Sequence, residues 1–361
     1  MVWLAYPEID CATDCGVRRA KLYDVARRAG VSTSTASRAL NGLGELSEET
    51  RKSVVRAAEA LDYRPSPLAR SLRTRRSHTV GLVVPTVAHS FYAAVTNGAQ
   101  SVLEEHGYRL ILLDSGDNAE AVTRAVQTLL DHEVDGVLMS TAPVGADRFN
   151  ALLDGTPCVF IDEVAPGAGA GNVVLENDRG TQMLVDHMVG HGHTAIAFLG
   201  GPTDRTSGYE RRRGFLDAID RNRLEPVPGL VRECDWTIAS GFRQAADLLA
   251  LDSRPTAMIT ASGELGLGAV VAARRAHVSI PGDLALACFD DLYFAPLLEP
   301  SLTAIAYDTP SIGQAGASLL LAAISGKPAT HRETRIDVEL VRRRSCGCEH
   351  DPGAAMVEVL A

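Results

Sequence analysis

Four polar side chains on one short stretch of the chain have the chemistry needed to contact DNA. They are Thr33, Ser34, Ser37 and Arg38. Hydroxyl groups exchange hydrogen bonds with base edges, and the forked guanidinium of arginine suits guanine edges and phosphate oxygens. Their spacing places all four on one face of a helix. The sequence therefore predicts a helix that presents these groups to a duplex.

The residues around this stretch predict short helices joined by a tight turn. Apolar residues recur with helical spacing in the first helix, at Leu22, Val25, Ala26 and Ala29. Gly30 ends that helix, Ser32 is placed to cap the second, and Ser47 to cap a third. Two short helices joined by a glycine-containing turn are typical of the helix-turn-helix, whose second helix enters the major groove. The alternative is a three-helix bundle that binds a protein.

We place this DNA-binding head at residues 21–64, and residues 65–77 predict a hinge after it. Ser66 and Pro67 are a cap and a first helical residue. The helix that they open is only about two turns long, too short to be stable alone. Several arginines flank it, so we expect DNA to order it.

The charge is divided along the chain. The net charge is −10, but residues 18–76 hold 14 Lys and Arg against six Asp and Glu, which makes that stretch +8 and the remainder −18. A basic head on an acidic body indicates a module that binds a polyanion, joined to a body with another role.

From residue 78 the pattern alternates between buried strands and amphipathic helices. The predicted strands are Thr79–Pro85, Arg109–Leu113, Gly136–Ser140, Pro157–Ile161, Ala195–Leu199, Ala257–Thr260 and Leu284–Phe289. Such alternation predicts an α/β body with doubly wound parallel sheets. Because the stretch is too long for one sheet, we expect two lobes with a cleft at the strands' carboxyl ends. Lobe 1 is predicted at about 78–175 and 306–336, and lobe 2 at about 176–305 and 337–345.

Other classes of function find little support. The stretch 1–20 has no basic region before an apolar core, so we expect an extension rather than a signal peptide, and no apolar run approaches a membrane span. Neither a nucleophile motif nor a phosphate loop emerges, so we expect no enzyme and no cofactor. The predicted location is the bacterial cytoplasm, at the nucleoid.

The cysteines and histidines permit a metal site, but their pattern does not favour one. The seven cysteines are scattered, and a four-thiolate site could only join Cys346 and Cys348 to Cys11 and Cys15. Asp186, His187, His191 and His193 have metal-like spacing. We expect a structural role for these four residues and no metal.

Head, hinge and body together resemble the lactose repressor (LacI/GalR) family over residues 21 to about 345. The motifs are LYDVA at 22–26, AGVS at 29–32, YRP at 63–65, LARSL at 68–72, PCVFID at 157–162, GHGH at 190–193 and FDD at 289–291. Each motif is weak alone, but the ordered set is specific. The resemblance implies a homodimer on a pseudo-palindromic DNA operator and a body similar to periplasmic sugar-binding proteins.

The resemblance also implies which residues contact DNA. They are Leu22, Tyr23, Ser32, Thr33, Ser34, Ser37, Arg38, Asn41, Ala69, Leu72 and Arg73. By position, Leu72 matches the leucine that the family inserts into the central minor-groove step. The alternative is that Leu72 packs against neighbouring apolar residues without contacting DNA. Lys21 stands where relatives often have a capping threonine, so we expect a weaker start to the first helix.

The family's effector pocket maps onto a further set of residues in the cleft. They are Phe91, Tyr92, Asp162, Asn177, Arg211, Trp236, Ser262 and Asp290. Carboxylates and arginine bind sugar hydroxyls, and aromatic faces cover apolar ring surfaces, so the expected effector is a small molecule, most simply a carbohydrate. The alternatives are capping or salt-bridge roles for the two aspartates and a core role for Trp236.

Two departures from the family pattern bear on this pocket. Ser262-Gly263 replaces an Asn-Asp pair of many relatives, and Glu176-Asn177 replaces Asp-Asn. The alternative function is therefore a repressor or nucleoid-organising protein without a ligand. The tail at 346–361 has no leucine heptads, which favours a dimer over a tetramer.

Overall fold

The chain forms two compact units that divide between Ser77 and His78. The computed structural model describes residues 20–63 except 41 and 43, and residues 76–349 except 117, 142–145, 166, 168, 226 and 328–332. Among the predicted DNA contacts, Asn41, Ala69, Leu72 and Arg73 lie outside the described residues, as do Cys11 and Cys15.

The head is all-helical, as predicted. Its helices are α1 (Leu22–Ala29), α2 (Thr33–Leu40) and α3 (Glu48–Ala60). Val25, Ala36 and Val54 are fully buried where the three helices meet. Gly30 takes the left-handed conformation (φ +68°) that ends α1, which glycine adopts without a steric penalty. The backbone N–H of Thr35 donates to Ser32 Oγ over 3.1 Å, so the predicted cap of α2 is present.

The start of α1 is held in a different way. The backbone N–H of Lys21 donates to Asp24 Oδ2 over 2.9 Å, which is one half of a capping box. A carboxylate in the first turn is also favourable beside the helix N-terminus. Asp24 therefore compensates for the missing threonine cap.

The body contains two six-stranded sheets. In lobe 1 the strands are β1 (Thr79–Val84), β2 (Arg109–Asp114), β3 (Gly136–Met139), β4 (Cys158–Ile161), β5 (Gly171–Leu175) and β11 (Glu333–Ile336). They are parallel in the order β11-β5-β4-β3-β1-β2. The helices of this lobe are α4 (Ser90–Glu105), α5 (Ala119–Asp131), α6 (Ala146–Leu153) and α11 (Thr309–Ile324).

The second sheet is built in the same way, with one exception at its edge. The strands are β6 (Ile196–Gly200), β7 (Val231–Glu233), β8 (Ala257–Thr260), β9 (Ala285–Phe289), β10 (Thr303–Ala306) and β12 (Glu339–Val341), in the order β12-β10-β9-β8-β6-β7. Only β12 is antiparallel among these pairs. The helices are α7 (Asn177–Gly190), α8 (Thr206–Arg221), α9 (Ile238–Leu249) and α10 (Gly263–Arg275), and short 3₁₀ turns lie at Ala295–Leu297 and Arg344–Cys346.

Both faces of the first sheet are buried, which is why its strands are apolar at successive positions. Along β1, Val80, Leu82 and Val84 belong to one core cluster, whereas Val83 packs into another. This confirms the doubly wound arrangement. The chain passes between the sheets after β5, after β10 and again between β11 and β12. No helix in the described residues is long and apolar enough to cross a membrane.

Candidate functional site

A cavity of about 350 Å³ opens between the two lobes, where the strands of both sheets end. Of the residues predicted for the effector, those that line it are Phe91, Tyr92, Asp162, Arg211, Trp236, Ser262 and Asp290. Its volume suits a small ligand. The prediction that the two sheets converge on one cleft agrees with this geometry.

Two aspartates enter the cavity from equivalent positions in the two lobes. Asp162 directly follows β4 and Asp290 directly follows β9, and both have a positive φ, +60° and +70°. Asp290 Oδ1 accepts a hydrogen bond from the Tyr307 hydroxyl over 2.6 Å and lies 3.5 Å from Arg211 Nη1. Asp290 is therefore held by its neighbours before any ligand binds.

The Asp162 carboxylate is not satisfied in this way. Its Oδ1 is buried and has no hydrogen-bond partner among the described residues. Burial raises the pKa of Asp162 to about 6, against the opposing charge of Arg211 and together with repulsion from Asp290. A buried acceptor without a partner is costly unless a ligand supplies the donor. This atom is the clearest polar contact point for a ligand.

Arg211 is fixed in place beneath the cavity. Its Nε donates to Asn177 Oδ1 over 2.8 Å and its Nη1 to the Ala261 carbonyl over 2.5 Å. The guanidinium carbon also lies 3.8 Å from the centre of the Phe289 ring. A cation stacked and hydrogen-bonded in this way offers a rigid charge to a ligand.

Asn177 does not line the cavity, so the structure brings together there only the other seven residues of the predicted effector set. It is fully buried at the start of α7 and its amide nitrogen donates to Glu210 Oε2 over 2.9 Å. Both ends of its side chain are thus occupied by α8, through Glu210 and Arg211. Asn177 therefore holds the Arg211 guanidinium in position.

Aromatic side chains provide the apolar walls. Phe91 and Tyr92 pack edge to face, with ring centres 5.1 Å apart, at the start of α4. The Trp236 ring lies so close to Gly201 that a Cβ there would be 2.0 Å from the indole. Trp236 is half-buried and faces the cavity, so its role is not confined to the core.

The departure at Ser262-Gly263 has a visible structural basis. Ser262 Oγ accepts the backbone N–H of Leu265 over 3.2 Å and caps α10 while lining the cavity. A Cβ at Gly263 would lie 2.6 Å from the Leu292 side chain. Leu292 thus fills the space that a larger residue at position 263 would need.

Sequence reasoning missed several residues that join the lobes beside the cavity. Glu163 accepts hydrogen bonds from Thr206 Oγ1 (2.8 Å), Thr206 N (3.1 Å) and Arg205 Nη1 (3.2 Å). Burial, with repulsion from Asp162, raises the pKa of Glu163 to about 7. His89 Nε2 lies 3.1 Å from Glu264 Oε1. The position of Glu163 directly after Asp162 was the one feature of the sequence that could have indicated these contacts between the lobes.

The head presents the predicted DNA-contact face. Thr33, Ser34 and Arg38 are exposed on α2, and Ser37 beside them is half-buried. Tyr23 is 63% exposed, whereas Leu22 packs against the head's core. Ser32 Oγ also lies 2.7 Å from Ser34 Oγ, which orients that hydroxyl.

One further group of residues could hold a metal. His187, His191, Cys346 and Cys348 place their ligand atoms within 4.8 Å of one another. The sequence shows the i,i+4 histidines and the Cys-x-Cys pair separately, but it does not show that the two pairs meet. Asp186, by contrast, is bound to Arg221 and Asn222 and is not in the group.

Comparisons with known proteins match both units. Residues 21–66 match the family described as bacterial regulatory proteins, lacI family, and residues 185–346 match the periplasmic binding protein-like domain. The ribose operon repressor of Haemophilus influenzae is 29% identical over 329 residues, which are 90% of this chain and 98% of that protein. Catabolite control protein A of Priestia megaterium is 28% identical, over 83% of this chain and 91% of that protein.

Solved structures agree along most of the chain. The lac repressor dimer bound to operator and the anti-inducer ONPF superposes with a TM-score of 0.83 at 28% identity, covering 91% of this chain and 99% of that one. A complex of the transcriptional regulator CelR with cellobiose has a TM-score of 0.69 at 30% identity, covering 91% and 100%.

Proposed function

This chain belongs to the lacI family of bacterial regulatory proteins, and on that premise we propose that it represses transcription as a homodimer on a pseudo-palindromic operator, under the control of a small molecule held between its lobes. The observation that carries the proposal is the cavity at the strand ends of a body that follows a helix-turn-helix head, with Asp162, Arg211 and Asp290 among its lining residues. Nucleoid association in the cytoplasm follows from the same proposal.

The chemistry of the cavity favours a ligand with several hydroxyl groups. Asp162 Oδ1 needs a donor, and Arg211 and Asp290 form a fixed pair that can donate and accept. Phe91 and Trp236 supply faces for the apolar side of a sugar ring. Solved relatives hold cellobiose and the anti-inducer ONPF, which supports a carbohydrate or a glycoside-like molecule.

Control of DNA binding requires that the effector prefer one arrangement of the lobes. A coupling free energy of about 1–3 kcal/mol is typical of such systems. The contacts of Glu163 and His89 across the cleft belong to the arrangement seen here, so a ligand that strengthens or breaks them would shift the equilibrium.

The DNA-binding part of the proposal is tested by measuring operator affinity for Arg38→Ala and Leu72→Ala in the full chain. Loss of one base-reading arginine costs about 1–3 kcal/mol, so we expect specific affinity to fall roughly 5- to 150-fold. Leu72→Ala should remove the operator kink as well. Arg109→Ala, an exposed arginine of the body, is the control. Unchanged specific binding in both test variants would exclude this DNA-contact assignment.

The effector is sought by thermal shift with sugars, nucleosides and sugar phosphates. A ligand that raises Tm in the wild type but not in Asp162→Asn supports the cavity as its site. The Ser262-Gly263 departure favours the second candidate, a ligand-independent repressor. That candidate is supported if the whole panel leaves Tm unchanged while operator binding is intact.

A further inference from the structure

Two histidines and two cysteines, none of which lines the cavity, meet on lobe 2 near the end of α7. His187 and His191 lie one turn apart near the end of α7, and Cys346 and Cys348 lie at and after the 3₁₀ turn Arg344–Cys346. Some 155 residues separate the two pairs in the chain, yet all four ligand atoms lie within 4.8 Å of one another.

The distances between these atoms are those of a tetrahedral metal site. His187 Nε2 lies 3.1 Å from Cys346 Sγ and 3.7 Å from Cys348 Sγ, and His191 Nε2 lies 3.3 Å from Cys348 Sγ. Zn–S bonds of about 2.3 Å and Zn–N bonds of about 2.0–2.1 Å, at tetrahedral angles, separate S from N by roughly 3.6 Å. Small adjustments would therefore bring all four atoms onto one ion.

Local backbone structure aims both pairs at the same point. The i,i+4 spacing puts His187 and His191 on one face of α7, with ring centres 4.8 Å apart. Gly347 between the cysteines has φ +94°, a conformation that favours glycine. This turn lets Cys346 and Cys348 project to the same side although they are only two residues apart.

The surroundings suit a thiolate ligand. The Thr303 hydroxyl lies 3.1 Å from Cys346 Sγ and can donate to a thiolate. Two thiolates would also neutralise a divalent cation, so no net charge would be left on the partly buried site.

We propose that His187, His191, Cys346 and Cys348 bind one Zn²⁺ ion, which fastens the segment after β12 to α7. A closed site of two cysteines and two histidines is a structural zinc arrangement, with no position left open for a substrate. The proposal is independent of the effector and of the operator. Its chemical competitor is a disulfide between Cys346 and Cys348, which would consume both thiolates.

The first test is the metal content of the full chain purified without chelator. We expect about one zinc per chain. Replacement by Co²⁺ should give the intense ligand-field bands of tetrahedral cobalt and a thiolate-to-cobalt charge-transfer band. Absence of both zinc and the cobalt bands in the wild type, or a metal-free protein with two fewer titratable thiols, would overturn the proposal.

The second test uses variants of one ligand from each pair, His191→Gln at the exposed histidine and Cys348→Ser at the half-buried cysteine. Each should lower zinc content and abolish the chelator-sensitive part of Tm, which in the wild type we expect to be roughly 5 °C or more. His193→Gln is the matched control, because His193 follows His191 by two residues but contacts Thr256 instead. Wild-type zinc content in both ligand variants would overturn the assignment of these residues.

Discussion

The two lobes place an aspartate at the same structural position but differ in how they hydrogen-bond its carboxylate. In lobe 2, Asp290 is bound by Tyr307 and Arg211, and Arg211 is itself held by Asn177. In lobe 1, Asp162 has the same left-handed backbone, yet its Oδ1 is buried and has no hydrogen-bond partner among the residues that the structure describes. Lobe 2 is therefore preorganised, whereas lobe 1 presents a buried acceptor that these residues do not satisfy.

This difference indicates a division of labour in ligand binding. A preorganised anchor loses little conformational freedom on binding, so lobe 2 can fix the ligand's orientation. An unsatisfied acceptor makes binding depend on a donor at one place, so lobe 1 can provide selectivity and couple the ligand to lobe closure.

The largest expected effect is that of Arg211→Met, which breaks the anchor of lobe 2. Arg211 is 4% exposed, and its loss removes one of two partners from Asn177, which keeps Glu210, and from Asp290, which keeps Tyr307. We expect the free energy of unfolding of the body to fall by about 3–5 kcal/mol and effector binding to be lost. Chemical denaturation and calorimetry measure both quantities.

Arg213→Ala is the matched control for Arg211→Met. Arg213 lies on the same helix as Arg211 and forms a half-exposed ion pair with Asp178 of α7. The control variant should cost less than about 1 kcal/mol. Equal losses in the two variants would show that lobe 2 has no special anchor at Arg211.

Exchange of each aspartate for asparagine tests the contrast directly. Asp162→Asn removes a charge that burial disfavours and whose Oδ1 has no hydrogen-bond partner among the described residues, so we expect the ligand-free protein at pH 8 to gain about 1–2 kcal/mol in free energy of unfolding while effector affinity falls. Asp290→Asn should destabilise by about 1–3 kcal/mol, because it weakens the contacts with Tyr307 and Arg211. Denaturation of both variants gives the sign, and two losses of the same size would contradict the comparison.

The pH dependence of effector binding follows from Asp162. Its folded-state pKa of about 6 lies above the ordinary value of 3.8. Ionisation therefore costs stability in the ligand-free protein, a cost that is absent below pH 3.8 and complete above pH 6. A ligand that donates to the carboxylate binds the ionised form, so affinity should be about tenfold lower at pH 5 than at pH 7.5.

Isothermal titration across this pH range, with the wild type and Asp162→Asn, measures the effect. The variant should retain only the shallower dependence contributed by Glu163 and His89, which also titrate at the cleft. An equally steep profile in the variant would assign the effect to those residues instead.

The smallest expected effect is that of Thr206→Val at the contact between the lobes. The Thr206 hydroxyl donates to Glu163 over 2.8 Å and accepts the Val164 N–H over 2.9 Å. Water replaces part of these two hydrogen bonds at the cleft, so their loss should weaken effector binding about two- to tenfold, a cost of about 0.5–1.5 kcal/mol. Thr203→Val, which removes a hydroxyl bonded to Glu233 within lobe 2, should leave affinity unchanged.

Local features of this molecule could be predicted from the sequence, but pairings across long stretches could not. Apolar runs mark β4 and β9, so the strand-end aspartates Asp162 and Asp290 were placed correctly in the cleft. The burial of Asn177 against α8, away from the cavity lining, could not be predicted, because its sequence position does not reveal which side of α7 meets α8. The three-residue edge strands β7 and β12 are too short for a periodic signal.

The histidine and cysteine cluster shows the same limit more strongly. His187 and His191 show their shared helix face in the sequence, and Cys346 and Cys348 show their proximity. The meeting of the two pairs depends on how β12 and the following turn return to α7, which only the tertiary structure specifies.

The short connections between the lobes limit how they can move. Two of them contain few residues: Glu176 alone separates β5 from α7, and Asp337 and Val338 separate β11 from β12. Together with the connection after β10, these connections join the lobes along one line, which acts as a hinge axis. The lobes are therefore free to swing about that line but resist separating or sliding, and a ligand in the cleft acts on a single angle.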